Sequence, residues 1–440
     1  MVFTTFEEKF SMLIKIIIIL IFTFQSIFLF AQDDYFTNKS LRYDNFIYKE
    51  TIKTPLTFRQ GFELSYPFIE LNTNDTIAIT FDELSDNIGN FSYSLIHCNS
   101  NWQPSQLSAI DYIDGFSDNP VTEYKQSFNT LCNFIHYKIT FPNENVKLKV
   151  SGNYLLMVYE DSNKENLVLT RRFFVVESKT EIVASVRRAT QVDLMKSHQE
   201  VDFTIKNAYT CNDPFQDIKI ILSQNYRWDN AITDLKPLFV KDNELIYNYE
   251  DGNLFPGGSE FRWIDAKSTR YQSEHVQSIN FEKPYFHYYM EPDEKRTFKI
   301  YFQLQDLNGK FLVKNSIGID SDVEADYVYA TFLLPYDAPM VDGNMYIFGA
   351  ISDWRCNKIN MMTYNYSKKA YQITMFIKQG FYDYQYAYMK DGSPEADLGF
   401  IEGNHYETEN DYLIFVYWHD ITSKYDRLTG IKVINSVTQK

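Results

Sequence analysis

Short runs of alternating apolar and polar residues, each closed by turn-forming residues, constrain the fold of this chain more than any other feature. Alternation with a period of two is typical of strands that bury one face. The runs are rich in aromatic residues, which favour strands, and no stretch keeps a helical period over three turns. The runs are 154–159, 172–176, 201–205, 218–222, 327–333, 345–348, 370–377 and 412–417. The sequence therefore predicts an all-β fold.

The strand-like runs follow one another without the strand–helix alternation of a parallel sheet, which favours sandwiches. At roughly 100–200 residues per domain, the length allows two to four domains. We predict two to three immunoglobulin-like or early-set β-sandwiches in tandem after a signal peptide, at 1–31 (signal peptide), 32–178, 179–320 and 321–440. The first boundary follows the run at 172–176, ahead of a new run at 181–186. The second follows a hairpin predicted at 306–309, between strands at 300–305 and 310–313.

The N-terminal residues have the layout of a signal peptide. Lys15 precedes an apolar stretch from Ile16 to Phe30, and the small Ala31 precedes a polar, acidic run. We expect cleavage after Ala31 and a true start at Met12, because the preceding residues include two glutamates. The alternative is a permanent membrane anchor, although the stretch is shorter than the roughly 20 residues of a spanning helix. The pattern predicts a soluble periplasmic chain.

The net charge and the cysteine spacing limit the classes of partner and of metal or redox site that this chain can have. A net charge of −16 repels nucleic-acid phosphates and anionic lipid, so we expect no nucleic-acid partner and no peripheral membrane role. No long unbroken apolar run follows Ala31, so we expect no direct membrane span. Cys98, Cys132, Cys211 and Cys356 form no metal-binding or redox spacing. Either a Cys98–Cys132 disulfide or buried free thiols fits an oxidising compartment.

A search for catalytic patterns finds none of the common hydrolase, metalloprotease, phosphate-binding or dinucleotide-binding motifs. We interpret His97 and His136 as half-buried strand residues rather than bases. Arg171 and Arg172 are adjacent in a strand and so face opposite sides, which argues against a phosphate site. Trp102 either contacts a partner or pins its loop onto the core. The prediction is a non-enzyme with no catalytic, cofactor-binding or metal-binding residue and no assignable partner-binding residue.

The C-terminal region resembles the early-set sandwich of glycogen- and starch-binding modules. The similar stretches are residues 344–354 (NMYIFGAISDW) and 378–384 (KQGFYDY). The resemblance implies a turn at Gly349, Trp354 closing the sheet edge, and Tyr384 and Tyr386 on alternate faces. It also raises an alternative function, a periplasmic glycan-binding protein, which we consider less well supported than a structural early-set domain.

Several stretches, taken in order, resemble a second family. They are 93–105 (YSLIHCNSNWQPS), 115–116 (GF), 127–130 (SFNT), 136–137 (HY), 141–143 (FPN), 151–156 (SGNYLL), 169–173 (LTRRF), 224–231 (QNYRWDNA), 257–262 (GGSEFR) and 402–412 (EGNHYETENDY). The combination is similar to the plug protein of the type IX secretion system of Bacteroidota. Tyr226 stands where that family commonly has Gly, and Ser259 where it commonly has Asn.

That resemblance implies a partner and a location. It implies a non-enzymatic periplasmic protein that docks on the periplasmic opening of the giant SprA-type outer-membrane barrel and seals it at rest. The protein would lie at the inner face of the outer membrane through this partner, without a cofactor.

Overall fold

The computed structural model describes residues 35–36, 39–206, 213–420 and 424–437, and the residues from Lys39 to Lys440 form one compact unit. The predicted signal peptide at 1–31, the predicted start at Met12 and Cys211 lie outside the described residues. In the described ranges no helix is long and apolar enough to cross a membrane.

Strands make up the framework, as predicted. Up to residue 176 they are β1 (Phe46–Ile47), β2 (Ile52–Arg59), β3 (Phe68–Glu70), β4 (Ile77–Glu83), β5 (Phe91–Cys98), β6 (Ile113–Gly115), β7 (Asn119–Pro120), β8 (Glu123–Gln126), β9 (Ile135–Phe141), β10 (Val146–Leu148), β11 (Gly152–Glu160) and β12 (Leu167–Val176). From 181 to 256 they are β13 (Glu181–Arg188), β14 (His198–Lys206), β15 (Ile218–Gln224), β16 (Ile232–Thr233), β17 (Phe239–Lys241), β18 (Glu244–Tyr247) and β19 (Leu254–Pro256).

The remaining strands follow in the same way. They are β20 (Arg262–Asp265), β21 (Val276–Glu282), β22 (Tyr285–Met290), β23 (Phe311–Val313), β24 (Tyr327–Pro335), β25 (Gly343–Phe348), β26 (Thr363–Asn365), β27 (Ala370–Lys378), β28 (Gly380–Lys390), β29 (Asp411–Asp420) and β30 (Tyr425–Asn435). The helices of the described residues are single turns, α1 (Ala109–Tyr112), α2 (Pro214–Asp217), α3 (Ser321–Glu324) and α4 (Gly399–Glu402), with a 3₁₀ turn at Ala350–Ser352. All eight strand-like runs named from the sequence lie within strands.

The first sandwich packs the sheet β1-β12-β11-β5-β7, with β3 parallel to β12, against the sheet β2-β4-β9-β8. The short pair β6–β10 completes it. Its core includes Ile79 and Tyr137 from one sheet and Leu156 and Val158 from the other. The neighbouring Leu155 is also fully buried, yet it belongs to a different apolar cluster. Because successive strand residues face opposite sides, this sheet is covered on both faces.

The second sandwich is built from distant parts of the chain. One sheet is β13-β14-β18-β17, with β19 beside β14, and the other is β16-β15-β29-β30. In the second sheet β15 pairs with β29, so Leu222 lies opposite Ile414. Val201 and Phe203 from the first sheet pack against these residues in one core.

The third sandwich occupies the chain between β19 and β29. One sheet is β20-β28-β23, with β25 also paired to β28, and the other is β21-β22-β24-β27-β26. Phe332 of β24 packs edge-on against Tyr384 of β28, with ring centroids 4.8 Å apart. The tandem-sandwich prediction is confirmed. The boundaries at 178–179 and 320–321 stay predictions, although strand pairing in the third sandwich joins residues on both sides of 320.

The hairpin predicted at 306–309 is wrong. The turn itself forms, with Asn308 and Gly309 at positive φ, but residues 300–305 form no strand. β23 instead pairs with β28, where Leu312 lies opposite Phe381. The Asp306 carboxylate accepts hydrogen bonds from the backbone N–H groups of Phe261 and Asn308, so the chain before the turn is held by a side chain rather than by a ladder.

Candidate functional site at the junctions of the three sandwiches

The first and second sandwiches meet through aromatic rings. Phe174 lies 4.8 Å from Phe415 and stacks on Trp228 at 5.9 Å between ring centroids. Trp102 packs edge-on against Phe174 at 5.3 Å and is only 5% exposed. The guanidinium of Arg172 lies 4.1 Å from the centroid of the Trp102 ring. Trp102 therefore pins its loop into this junction, one of the two readings that the sequence allowed.

The first and third sandwiches meet at a buried charge. Asp82 on β4 accepts hydrogen bonds from Lys378 Nζ at 2.5 Å, His136 Nδ1 at 2.7 Å and the Tyr327 hydroxyl at 2.8 Å. Although burial raises the pKa of Asp82, Lys378 and His136 lower it more, and it lies below its ordinary value. This arrangement keeps the carboxylate ionised and links β4 to β24 and β27.

The His136–Asp82 pair has the spacing of a catalytic base and its orienting carboxylate, so its chemistry requires a check. Among the described residues His136 Nε2 forms no hydrogen bond, and it lies 3.8 Å from the Asp322 carboxylate, which is an acceptor and not a nucleophile that a base could activate. His136 is 7% exposed on β9. We interpret the pair as a structural clamp, in line with the interpretation of His136 as a strand residue.

His97 is buried in the first sandwich and is held at both ring nitrogens. Nδ1 lies 2.8 Å from Ser105 Oγ and Nε2 lies 3.0 Å from the Ser151 carbonyl oxygen. Burial lowers its pKa to about 4. His97 is therefore a neutral strand residue at neutral pH.

A cavity of about 290 Å³ lies between the second and third sandwiches. Three of the stretches that carried the family resemblance, 224–231, 257–262 and 402–412, contribute to its walls. Asn410 joins them, because its amide donates to Gln199 Oε1 at 3.0 Å and to the Gly257 carbonyl at 2.8 Å. It also accepts from Asn225 Nδ2 at 2.8 Å. These stretches, up to about 190 residues apart in sequence, form one hydrogen-bonded network.

Two glycines shape that cavity wall. A Cβ on Gly257 would lie 2.1 Å from the His405 carbonyl oxygen, so only glycine allows this approach. Gly258 has φ +66, a backbone conformation that favours glycine. The stretch 257–262 is therefore fixed by backbone geometry rather than by a reactive side chain.

A charged cluster lies where the last residue of stretch 257–262 meets the first residue of stretch 402–412. Arg262 donates to Glu402 at 3.0 Å and to Asp293 at 2.7 Å, and Arg296 donates to Glu402 at 2.7 Å. Burial raises the pKa of the fully buried Glu402, but the two arginines lower it by more than burial raises it, and the resulting pKa is about 2. The cluster is a structural ion-pair network.

The aromatic residues of the glycan-binding alternative are turned inward. Trp354 packs edge-on against Phe348 at 5.6 Å and Phe261 at 6.0 Å, where a Cβ on Gly309 would clash with its ring. Tyr384 and Tyr386 are both buried and both donate to Asp293 Oδ2 at 2.7 Å. The expectation that these two tyrosines lie on alternate faces is wrong, because residues two apart in a strand share a face.

The cysteines of the described residues are free. Cys98, Cys132 and Cys356 form no disulfide, so free thiols rather than a Cys98–Cys132 bond are present. No group of His, Cys, Asp or Glu in the described ranges is arranged to hold a metal ion.

Three large apolar side chains are exposed in the segment between β22 and β23 of the third sandwich. Phe298, Ile300 and Phe302 are 94%, 94% and 74% exposed, whereas the alternate residue Tyr301 turns inward to hydrogen-bond Glu260. Ile300 and Phe302 lie in the strand predicted at 300–305, and since that segment forms no strand, no neighbouring strand of the described residues covers them. We call residues 298, 300 and 302 the exposed stripe.

Comparisons with known proteins give two informative matches. Residues 52–177 match a family model described as the first domain of the type 9 secretion system plug protein. A crystal structure of a hypothetical protein from Parabacteroides merdae aligns with a TM-score of 0.87 at 35% identity, covering 90% of this chain and all of that chain. A structure from Corynebacterium diphtheriae aligns with a TM-score of 0.13 at 9% identity, which is too low to indicate a shared fold. A comparison with curated proteins gives no match.

Proposed function

Because this chain belongs to the type 9 secretion system plug protein family, we propose that it is a non-enzymatic periplasmic subunit that seals the SprA-type outer-membrane barrel at rest. The observation that carries the proposal is the match of residues 52–177 to the plug model. The periplasmic location is supported by that family and by the signal-peptide pattern at residues 1–31.

The three junctions favour a sealing role. A plug must resist deformation while it covers a wide aqueous opening, and ordering flexible parts on binding lowers affinity. Here the first and second sandwiches are joined by aromatic stacking, and the first and third by a buried ion pair. The second and third are joined by the partly buried pair Lys310–Asp411, with Nζ and Oδ2 3.6 Å apart. Such a body needs little ordering when it docks.

We propose that the exposed stripe is part of the docking surface for the barrel. Burying a side chain such as Phe298 or Ile300 contributes about 1.5–3 kcal/mol, so the three contribute roughly 5–9 kcal/mol. Association costs an estimated 4–15 kcal/mol in lost freedom. The stripe alone therefore supports a weak complex, and polar contacts around it must add the rest. That balance suits a plug that must leave when cargo arrives.

Affinity purification of the tagged full-length protein from its native envelope tests the plug role. We expect the giant outer-membrane barrel to be recovered with it. We also expect cells that lack the protein to admit large hydrophilic antibiotics across the outer membrane. Absence of the barrel from the purified material, under conditions that retain other envelope complexes, would overturn the proposal.

The docking surface is tested by substitution of the stripe. Phe298→Asn, Ile300→Asn and Phe302→Asn together should reduce recovery of the barrel at least tenfold, since losing about 1.4 kcal/mol already gives that factor. The fold should tolerate these changes because the side chains are almost fully exposed. Ile319→Asn is the matched control, because Ile319 is 99% exposed outside the stripe. Equal recovery with the triple variant and the control would remove the stripe from the docking surface and leave the plug role standing.

A further inference from the structure

A second cavity, of about 100 Å³, lies where all three sandwiches meet. A buried water needs only about 10–15 Å³ of such space, so several non-hydrogen atoms fit. Its polar lining includes Thr57, Tyr66, Arg171, Tyr226, Lys310 and Asp353. These residues come from the first, second and third sandwiches, so anything bound there touches all three.

Arg171 is a lining residue with two hydrogen-bond donors that have no acceptor among the described residues. Its side chain is 1% exposed, and Nη1 donates to Asp353 Oδ2 at 2.9 Å. Nε and Nη2 are buried and have no hydrogen-bond partner among the described residues. These two nitrogens form the side-on edge of the guanidinium, which matches two oxygens of a carboxylate or a phosphate. Leaving buried donors without acceptors costs about 1–3 kcal/mol each.

Two hydroxyls of the same lining are also unused. Thr57 Oγ1 and Tyr226 Oη are buried and, within the described ranges, form no hydrogen bond. Tyr226 has φ +65, a conformation that costs a non-glycine residue roughly 1–2 kcal/mol. Glycine would adopt it without strain, so the tyrosine side chain is held at this position against the local backbone preference.

The charge of the lining favours an anion. It includes three cationic side chains, Arg171, Arg172 and Lys310, against two carboxylates, Glu63 and Asp353. Lys310 also lies 3.6 Å from Asp411, outside the lining, so the two arginines carry the excess positive charge. Glu63 is exposed, whereas burial lowers the pKa of Lys310 and lowers that of Arg172 to about 10. A bound anion would offset this destabilisation of the two cations.

We propose that this cavity binds one small oxyanion, a carboxylate or a phosphate, on the Nε–Nη2 edge of Arg171. The hydroxyls of Thr57 and Tyr226 complete its hydrogen bonding. The site does not depend on the plug role. It gives the junction a ligand that bridges the three sandwiches.

Isothermal titration of the full chain with sodium phosphate and, separately, sodium acetate at constant ionic strength tests the site. We expect saturable binding of one anion per chain in at least one arm, and the arm that binds identifies the chemistry. Arg171→Lys keeps the charge but lacks the side-on edge, and it should weaken binding at least tenfold. Arg270→Lys, at an exposed arginine, should leave binding unchanged.

Thr57→Val and Tyr226→Phe keep the test decisive if Arg171→Lys fails to fold. Each deletes a hydroxyl that has no hydrogen bond in the described structure, so thermal stability without the anion should be unchanged. Each should weaken anion binding severalfold. Absence of saturable binding in both arms, or binding that neither hydroxyl variant weakens, would overturn the proposal.

Discussion

Replacing Lys378 by methionine tests how strongly the buried charge joins the first and third sandwiches. Lys378 Nζ and Asp82 Oδ2 lie 2.5 Å apart, and both side chains are 1% exposed. The ammonium also lies 4.1 Å from the centroid of the Phe134 ring. Methionine retains most of the apolar contact of the lysine stem, so the substitution mainly removes the charge.

The expected magnitude follows from what remains around Asp82. Removing one partner of a buried ion pair costs about 3–5 kcal/mol, because the other charge is left without compensation. His136 and Tyr327 still donate to Asp82, so we expect the lower end, about 3 kcal/mol less free energy of unfolding. The double variant with Asp82→Asn should recover most of that loss, since it leaves no buried charge.

Urea denaturation at pH 7, followed by circular dichroism, measures these differences, and calorimetry checks whether the sandwiches still unfold together. Lys206→Met is the control, because its pair with Glu244 at 3.3 Å is 49% and 39% exposed. Such a pair contributes about 0–1 kcal/mol. A loss for Lys378→Met no larger than for Lys206→Met would refute the reasoning. A double variant as unstable as the single one would assign the loss to packing instead.

Two further predictions concern titration and thiol chemistry. Burial raises the pKa of Glu260 to about 7, from an ordinary 4.5, so its stabilising contribution is complete below pH 4.5 and is lost as the pH rises through 7. Relative to Glu260→Gln, the native chain should lose about 3 kcal/mol of unfolding free energy between pH 4.5 and 7, as measured by denaturation at each pH. The exposed Glu165→Gln is the control. Equal pH profiles for the native chain and Glu260→Gln, or a difference no larger than the one that Glu165→Gln gives, would contradict the prediction. Burial raises the pKa of Cys98 to about 12 and of Cys132 to about 11, so iodoacetamide at pH 8 should label both only after denaturation, as read by mass spectrometry. Labelling of either in the native chain, or a disulfide between them, would be the contrary result.

Local patterns predicted the strands but not their partners. Runs such as 154–159 and 412–417 have the alternation that any half-buried strand needs, and both became strands. Nothing in that alternation indicates that β29 pairs with β15, nearly 190 residues earlier, because many apolar strands fit one another equally well in local terms. The failed hairpin at 306–309 has the same origin.

The junctions were predictable only in part. The sequence placed Arg171 and Arg172 on opposite faces, and they do reach different neighbours, Asp353 and the Trp102 ring. That Asp353 and Tyr226 would come to the same cavity depends on how three sandwiches pack, which no spacing in the chain encodes. The exposed stripe could not be predicted either. An alternating apolar pattern suggests a strand with one buried face, and nothing in the pattern shows that no neighbouring strand will cover it.

The pairing of β29 with β15 also sets the order in which the chain can be completed. Strand β29 lies inside its sheet, between β15 and β30. Until residues 411–435 have been made, one edge of β15 has no strand to pair with, and Ile220 and Leu222 lack the core residues that β29 places beside them. The third sandwich, nested between β19 and β29, has all its strands earlier. A chain halted after residue 400 would therefore hold all strands of the third sandwich inside an incomplete second sandwich. The unpaired edge of β15 would favour aggregation or binding to a chaperone.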